Sequence, residues 1–417
     1  MRILIYNWRD LAHPNSGGAE VYTDAVARSW INEGHDVTLF TSTVQGRQDS
    51  EISNGGYVVI RRGGRHTVYR EGRRFWHAEG RGHFDLVIDE VNTRPFGCPR
   101  WVTEVPVVAV IHQVAREVWF HETSLPVAIL GRYWLERHWL SLYTTTPTVT
   151  LSVSSRRSLE AYGLRNVSVV PAGMDFQYAG PIPNLQLKES TPTFAFVGRL
   201  ASNKRPKAAI EAFGLVRKIW PEARLWVMGT GPMEAELRRM APPGVEFLGW
   251  VPDEEKYERL ARSHALLITS VREGWGLVVT EAAALGTPSF GYNVSGLCDS
   301  IAASGGFLTA ESPVALADRL ITEMNALLAG NCEVAPRGVT TWPEVAVGIM
   351  SVAAESSRKD VGVQAPAGNA NSLDCEETNY ADGRPFRQLP TKDDVFGSSS
   401  FLKVVRSKRG AKSAKDG

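Results

Sequence analysis

The sequence predicts an α/β protein with two doubly wound domains, each built on a parallel sheet that helices cover on both faces. Three observations predict this class. The chain has 417 residues of ordinary composition, 43% apolar and 22% charged, which suits two or three globular domains. Short apolar runs without polar alternation are separated by helical segments, a pattern typical of buried parallel strands. The same pattern starts again near residue 194.

The first half of the chain opens with a strand, helix, strand unit. Residues 2–6 form an apolar run, and Tyr22, Val26 and Trp30 recur four apart on one face of a helical segment at 19–32. The other strand candidates of this half are short and apolar, and they lie at residues 37–40, 86–88, 105–111, 149–153 and 167–170. These elements predict the first domain.

The second half repeats the pattern more regularly. Its strand candidates recur every 20 to 31 residues, and they lie at residues 194–197, 225–228, 245–248, 265–268 and 288–291. Helical segments lie between them, for example at 207–219 and 254–262. We therefore predict a second, similar domain.

Proline placement and composition set the predicted boundaries. Pro181, Pro183 and Pro192 interrupt the periodicity and favour an extended linker. Late in the chain apolar periodicity is lost, and Gly, Ser, Asn, Asp and Pro dominate, which is typical of disorder. The predicted organisation is a first domain at 1–176, a linker at 177–192, a second domain at 193–340, a closing helix at 341–355 and a disordered tail at 356–417.

Charge and cysteine content exclude several classes of protein. Lys and Arg total 46 against 45 Asp and Glu, so the net charge of +1 predicts no nucleic-acid partner. The four cysteines lie far apart without a C-x-x-C pair, which disfavours a zinc site or a disulfide framework. The apolar run at the N-terminus is shorter than a signal-peptide core, and no apolar stretch reaches the length of a membrane span. We therefore expect a cytoplasmic protein.

A glycine-rich turn follows the strand candidate at 265–268. It reads Glu273-Gly274-Trp275-Gly276-Leu277, and Glu281 follows about two helical turns later. A strand that turns through glycines into a helix exposes backbone N–H groups to an anion at the carboxyl edge of the sheet. The two carboxylates can accept hydrogen bonds from sugar hydroxyls, although solvated helix charges are the alternative interpretation.

Two cations follow the strand candidate at 194–197. Arg199 offers a planar fork and Lys204 a point charge, and this combination suits a diphosphate. Two cations there could offset the charge of a leaving group without a metal. The alternative is an ordinary surface loop.

Two further features belong to the first domain. Gly17 and Gly18 lie between the first strand and the first helix, where paired glycines permit a ligand to approach the backbone closely. His112 follows the apolar run at 105–111, which favours a site role, although a structural histidine is the alternative. Neither the 17–18 pair nor Gly229-Thr230-Gly231 has the glycine spacing of a dinucleotide site.

Taken together, these residues resemble glycosyltransferase family 4, a retaining family of the glycosyl transferases group 1 type with the GT-B fold. The segment from Glu273 to Glu281 is similar to the family's E-x7-E signature. The other similar segments occur in the expected order, and they are Gly17-Gly18-Ala19-Glu20, His112, residues 152–155, residues 170–175, Val197-Gly198-Arg199-Leu200 with Lys204, residues 247–251 and residues 284–288. The resemblance covers about residues 1–355 and implies two Rossmann-like domains facing a cleft.

The resemblance implies a donor substrate, a UDP- or GDP-linked sugar, held mainly by the second domain; no cofactor and no metal is implied. Arg199 and Lys204 would contact the diphosphate, Glu281 the ribose, and Glu273 the hydroxyls of the donor sugar. The backbone that would meet phosphate or sugar belongs to Gly274, Trp275, Gly276 and Leu277. Across the cleft, Gly17 and Gly18 would approach the donor phosphate and the acceptor, and His112 would lie near the transferred sugar.

The implied activity is retaining transfer of a hexose to a hydroxyl of a glycan, a lipid-linked molecule or a small molecule. Two alternatives stay open, a sugar-nucleotide epimerase and a catalytically silent nucleotide-sugar-binding protein. The acceptor is not identified. The aromatic segment at 118–135 predicts a core helix, and its alternative is an exposed patch for a peripheral contact with the inner membrane face.

Overall fold

The computed structural model describes residues 1–174, 188–332, 334 and 340–359. The apolar runs of the first half form an eight-stranded sheet. Its strands are β1 (Arg2–Tyr6), β2 (Asp36–Thr41), β3 (Ser50–Ile52), β4 (Val58–Arg61), β5 (Leu86–Glu90), β6 (Val107–Val110), β7 (Thr148–Thr150) and β8 (Val167–Val169). The spatial order is β3-β4-β2-β1-β5-β6-β7-β8, and all neighbours are parallel except β3 and β4.

A second sheet has six strands, all parallel to their neighbours. Its strands are β9 (Thr193–Val197), β10 (Arg224–Met228), β11 (Val245–Gly249), β12 (Ala265–Ile268), β13 (Ser289–Tyr292) and β14 (Phe307–Thr309). The spatial order is β11-β10-β9-β12-β13-β14. The strand order reverses direction beside the first strand of each sheet, between β1 and β5 and between β9 and β12. Ligands of open α/β sheets bind at such points, outside the carboxyl ends of the strands.

Helices connect the strands and cover both sheets. Those near the first sheet are α1 (Gly18–Asn32), α2 (Val68–Phe75), α3 (Val118–Glu122), α4 (Leu125–Leu130), α5 (Glu136–Leu140) and α6 (Val153–Glu160). Those that follow are α7 (Pro206–Arg217), α8 (Glu234–Met240), α9 (Asp253–Arg262), α10 (Leu277–Ala284), α11 (Leu297–Ala303), α12 (Pro313–Ala329) and α13 (Trp342–Lys359). The α/β class with two doubly wound sheets is therefore confirmed.

The last helix, α13, returns to the first sheet although it follows the second sheet in sequence. Its apolar side chains join the core under α1, and the indole Nε1 of Trp30 donates to the carbonyl of Ala346 over 3.2 Å. A parallel β-bridge pairs Gly173, near the end of the first domain, with Thr340, just before α13. The segment that leaves the first domain and the segment that returns to it therefore lie side by side. Each large apolar side chain buried there contributes about 1.5–3 kcal/mol to folding.

The structure adds three strands that the sequence pattern did not predict, namely β3, β4 and β14. It also corrects the strand expected at 149–153, because that strand ends at Thr150. The side chain of Ser152 accepts a hydrogen bond from the backbone N of Ser155 at 3.2 Å and so caps the start of α6. The boundary expected between the closing helix at 341–355 and the tail at 356–417 is corrected, because α13 continues to Lys359. Most of the linker expected at 177–192, and the part of the expected tail from residue 360 onward, lie outside the described residues.

The prediction of a core helix at 118–135 is wrong. Trp119 and Ala128 are buried, but many large apolar side chains of this segment face solvent. They are Phe120, Leu125, Val127, Ile129, Leu130, Tyr133 and Trp134. A π-helical turn at Gly131–Leu135 separates α4 from α5, and within the described ranges no helix is both long and apolar enough to cross a membrane.

Candidate active site

The cationic residues of the second domain lie where β9 ends. Gly198, with φ of 154°, turns the chain out of the sheet, Arg199 follows at once, and Lys204 ends a short 3-10 turn at Ser202–Lys204. Because β9 borders the point where the strand order reverses, the sequence delivers both cations to the ligand-binding edge of the sheet.

Gly229 and Gly231 pack directly against the backbone of this loop. A Cβ atom at Gly229 would lie 2.1 Å from the carbonyl oxygen of Gly198, and one at Gly231 would lie 2.4 Å from that of Leu200. No side chain fits in such a contact, so these glycines serve close backbone packing. This accounts for a Gly-Thr-Gly motif without a dinucleotide.

Glu273 lies in the turn after β12 and pairs with Lys204. The Lys204 Nζ contacts Glu273 Oε1, and the hydroxyl of Ser270 donates to the same oxygen over 2.6 Å. The backbone N of Glu273 donates to the carbonyl of Ser295. The structure thus brings the lysine predicted to bind the diphosphate into contact with the glutamate predicted to bind the donor sugar. Both side chains are mostly buried.

Glu281 lies in α10 and has a different cationic partner. Its Oε2 is 3.1 Å from Lys256 Nζ, which also contacts Asp253 at 2.9 Å. Burial raises the pKa of Glu281 above its ordinary value, and Lys256 opposes that shift. Burial alone would lower the pKa of Lys256, but Glu281 and Asp253 raise it. Lys256 is thus a site residue that the sequence patterns missed.

Glycine is needed at two positions of the turn, for a different physical reason at each. Gly276 precedes α10 with φ of 90°, a left-handed conformation that favours glycine. Gly274 faces the first domain, where an added Cβ would lie 2.8 Å from the carbonyl oxygen of His112. Between them, Trp275 is buried, and its Nε1 donates to Thr280 Oγ1 over 2.8 Å. The turn is therefore fixed from within and closely approached from the other domain.

The paired glycines of the first domain face this turn across the cleft. An added Cβ at Gly18 would lie 3.7 Å from Cδ1 of Leu277. The Nη2 of Arg199 donates to Asn15 Oδ1 over 3.3 Å. The loop before Gly17 therefore contacts the arginine that is predicted to bind the diphosphate. Gly17 N donates to Glu20 Oε2 over 2.6 Å, which fixes the start of α1. Predicted residues of both domains therefore meet at one place.

His112 follows β6 and lies beside Tyr22, with 4.7 Å between the ring centroids. Burial lowers the pKa of His112 to about 4, so its imidazole is neutral near pH 7. Its Nε2 is inaccessible and has no hydrogen-bond partner among the described residues. The imidazole is thus a neutral group beside the turn at Gly274.

A buried carboxyl group at the end of β5 is a second feature that sequence reasoning missed. Glu90 Oε2 lies 2.5 Å from Thr23 Oγ1 and 2.8 Å from Asn7 Nδ2. The Thr23 hydroxyl also lies 2.9 Å from the carbonyl of Ala19, and its one proton serves only one acceptor. A protonated Glu90 can donate to Thr23 instead, and burial raises the pKa of Glu90 to about 8.

Polar contacts between the domains lie behind the turn. The hydroxyl of Ser154 donates to Asp299 Oδ2 over 2.5 Å and accepts from the backbone N of Gly296 over 2.8 Å. Arg272, next to Glu273, donates from Nε to Glu117 Oε2 over 3.2 Å. These contacts hold the two edges of the cleft together.

Solved structures with this architecture place the chain in a class. Sucrose-phosphate synthase from Thermosynechococcus elongatus is 17% identical with a TM-score of 0.63, covering 87% of this chain and 98% of that chain. HepE from Anabaena, solved with UDP-glucose, is 16% identical with a TM-score of 0.60, covering 87% and 100%. The fold is GT-B, two Rossmann-like domains facing a cleft.

Two family models divide the chain between them. The model described as Glycosyltransferase Family 4 matches residues 16–178, and the model described as Glycosyl transferases group 1 matches residues 182–326. The chain belongs to glycosyltransferase family 4, and it is a glycosyltransferase.

Curated relatives are similar over most or part of the chain. One is a GDP-mannose-dependent alpha-(1-6)-phosphatidylinositol dimannoside mannosyltransferase from Mycobacterium tuberculosis, 26% identical over 74% of this chain and 84% of that protein. Another is a 2-deoxystreptamine glucosyltransferase from Streptomyces kanamyceticus, 31% identical over 33% of this chain and 39% of that protein.

Proposed function

We propose that this glycosyltransferase moves a hexose from a UDP- or GDP-linked donor to a hydroxyl acceptor, with retention of anomeric configuration and without a metal. The contact between Lys204 and Glu273 is the main support for the proposal, because it joins a cation suited to phosphate to a carboxylate that can accept hydrogen bonds from sugar hydroxyls. The names of relatives, one dependent on GDP-mannose and one solved with UDP-glucose, support a hexose donor.

The donor lies along the edge of the second sheet in this proposal. Arg199 and Lys204 bind the diphosphate, and Lys204 exchanges Glu273 for a phosphate oxygen when the donor enters. Glu273 then accepts hydrogen bonds from hydroxyls of the donor sugar, and Glu281 accepts them from the ribose. The backbone from Gly274 to Leu277 meets the phosphate or the sugar at the start of α10.

The acceptor approaches from the first domain. Gly17 and Gly18 let it reach the donor phosphate, and neutral His112 lies near the transferred sugar. The acceptor oxygen attacks the anomeric carbon from the face that the diphosphate leaves. The anomeric C–O bond to phosphate breaks, the new glycosidic bond forms, and the acceptor proton passes to a phosphate oxygen. The two cations offset the charge of the leaving diphosphate.

We also propose that the protein acts in the cytoplasm in peripheral contact with the inner membrane face. The exposed apolar side chains of α4 and the π-helical turn support this contact, because large exposed apolar patches mark interaction surfaces. Acceptors in the membrane would then be within reach of the first domain.

Donor binding tests the proposed site directly. Purified protein is titrated with a panel of UDP- and GDP-hexoses by calorimetry, and with each donor its thermal unfolding is measured. One donor should bind and stabilise the folded state, by about 2.7 kcal/mol at a hundredfold excess over its Kd. Arg199→Ala and Glu281→Ala should each weaken binding, and unchanged binding in both would make the site assignment wrong.

Product analysis tests the reaction. Transfer should continue in excess chelator, and NMR should show the donor's anomeric configuration in the product. Loss of transfer on removal of Mg²⁺ or Mn²⁺ would contradict a metal-independent mechanism. Isomerisation of the donor without an acceptor would instead identify an epimerase, and binding without any product would identify a silent sensor.

A further inference from the structure

A cationic pocket of about 370 Å³ lies in the first domain between α2, the loop after β5 and the helical segment around α5. Twelve of the described residues line it, and none of these is Asp or Glu. Four of them are arginines, Arg70, Arg73, Arg94 and Arg100, and His138 also lines the pocket. The proposed donor site does not use any of these residues.

The arginines of this pocket are available to a ligand. In the part of the chain that the structure describes, Arg73, Arg94 and Arg100 form no ion pair, and Arg70 contacts only Glu71, at 3.4 Å. The guanidinium of Arg94 lies over the ring of Tyr69, 4.3 Å from its centroid, which fixes its plane. Guanidinium groups that share a pocket repel each other, so an anion that contacts several of them is strongly favoured.

An exposed apolar surface adjoins the pocket. Tyr133 and Trp134 are 66% and 61% exposed, and Leu125 and Ile129 of α4 are also exposed. The Trp134 indole stacks on the ring of His138, with centroids 5.6 Å apart and planes at 9°. Since His138 also lines the pocket, the cationic pocket and the apolar surface are continuous.

We propose that this combined surface binds a phospholipid of an anionic membrane, with the lipid phosphate at Arg73, Arg94 and Arg100. Guanidinium forks match phosphate oxygens, while exposed aromatic and aliphatic side chains of α4 and the π-helical turn insert among the acyl chains. A second copy of the chain is disfavoured, because a two-fold contact centred on the pocket would bring two sets of arginines together. The inference rests on the membrane contact of the proposed function, and it is independent of the sugar chemistry.

Vesicle sedimentation with the full chain tests the inference. Wild-type protein should bind vesicles of phosphatidylcholine with phosphatidylglycerol and not vesicles of phosphatidylcholine alone. The double variant Arg73→Glu/Arg100→Glu should bind at least tenfold more weakly, and Ile129→Ser/Trp134→Ser should lose as much. The matched control Lys218→Glu/Arg224→Glu makes the same charge change at exposed positions of the second domain and should bind like wild type.

Several results would overturn the lipid site. Normal vesicle binding by the arginine variant would show that the pocket is not used, and normal binding by the apolar variant would contradict insertion. If soluble glycerol phosphate prevents vesicle binding as effectively as additional vesicles do, the pocket is a site for free phosphate. A chain that dimerises through this surface, with no vesicle binding, would identify a second copy as the partner.

Donor titration separates this inference from the proposed function. All three variants should bind the nucleotide sugar like wild type, since their residues lie outside the proposed donor site. Failure of the wild-type protein to bind any donor, with normal vesicle binding, would make the proposed function wrong and support the lipid site.

Discussion

The two domains present different groups to the cleft. At the edge of the second sheet, the predicted ligand-binding carboxylates occur in mostly buried ion pairs, Lys204 with Glu273 and Lys256 with Glu281. At the edge of the first sheet, Glu90 is buried among hydroxyl and amide groups, and burial keeps His112 neutral near pH 7.

This difference separates ligand binding from ligand positioning. A cation in such a pair can exchange its carboxylate for an anionic ligand, because the ligand replaces one negative charge with another. Glu90, whose pKa burial raises, and the neutral His112 supply no cation for a diphosphate, but they can orient a neutral hydroxyl. The comparison therefore predicts that the second domain determines donor affinity and that the first domain determines acceptor geometry.

The largest expected effect is at Lys204. Lys204→Met removes a cation that we propose offsets the leaving-group charge, and kcat/KM should fall by about 10²–10³-fold, as for loss of one transition-state donor. Lys207→Met is the matched control, since Lys207 is exposed on α7 and pairs only loosely with Glu236 at 3.6 Å. Steady-state kinetics measure both, and equal activities would show that the two domains do not divide the work in this way.

The next effect is the pH dependence that Glu90 adds to stability. Its pKa rises from about 4.5 to about 8 on folding, so between these values the folded state holds a proton that the unfolded state has lost. The contribution is favourable below pH 4.5 and is lost as pH rises through 8. Glu90→Gln stays neutral, so it should be about 3–4 kcal/mol more stable than wild type at pH 8 and similar at pH 5.

Thermal unfolding from pH 5 to pH 9 measures this difference. Glu246→Gln is the control, because Glu246 is exposed in β11, and its difference from wild type should not change with pH. A Glu90→Gln variant whose stability runs parallel to that of wild type would show that Glu90 is ionised in the folded protein.

A smaller effect is expected where the domains approach each other at Gly274. The added methyl group of Gly274→Ala would lie 2.8 Å from the His112 carbonyl oxygen, so the two edges must separate. We expect kcat/KM to fall about ten- to a hundredfold through lost positioning, with thermal stability nearly unchanged. Gly64→Ala is the control, because among the described residues, its two chain neighbours aside, no atom lies within 4 Å of its added Cβ. Full activity in Gly274→Ala would show that the reaction does not require the domains to approach this closely at Gly274.

The fold could be predicted because short, continuous apolar runs between helical segments are typical of buried parallel strands and fit few other structures. The strands that escaped prediction show the limit of that signal. In β4, Arg61 looks like an exposed residue in the sequence, yet it is buried with Asp10 and Glu51. The side chain of a buried ion pair breaks the apolar pattern, and only the tertiary partners explain it.

The candidate site could be predicted where glycines and charges follow a strand directly. Glu273, Arg199 and Lys204 lie at the predicted edge, although their roles toward a ligand stay predictions. Glu90 was missed because its environment comes from Asn7 and Thr23, which are distant in sequence. The exposure of Trp134 was missed because periodicity identifies an apolar helix face and does not show what covers it.

The smallest expected effect concerns the protonation of His112. Its pKa falls from 6.5 to about 4 on folding, so between these values the unfolded state binds the extra proton. This contribution to stability is complete above pH 6.5 and is lost as pH falls toward 4. His112→Asn cannot be protonated, so from pH 7 to pH 5 it should lose about 1–2 kcal/mol less than wild type. Thermal unfolding at both pH values measures the difference, with exposed His66→Asn as control. Equal losses in wild type and His112→Asn would show that folding does not lower the pKa of His112, and burial would then not hold the imidazole neutral.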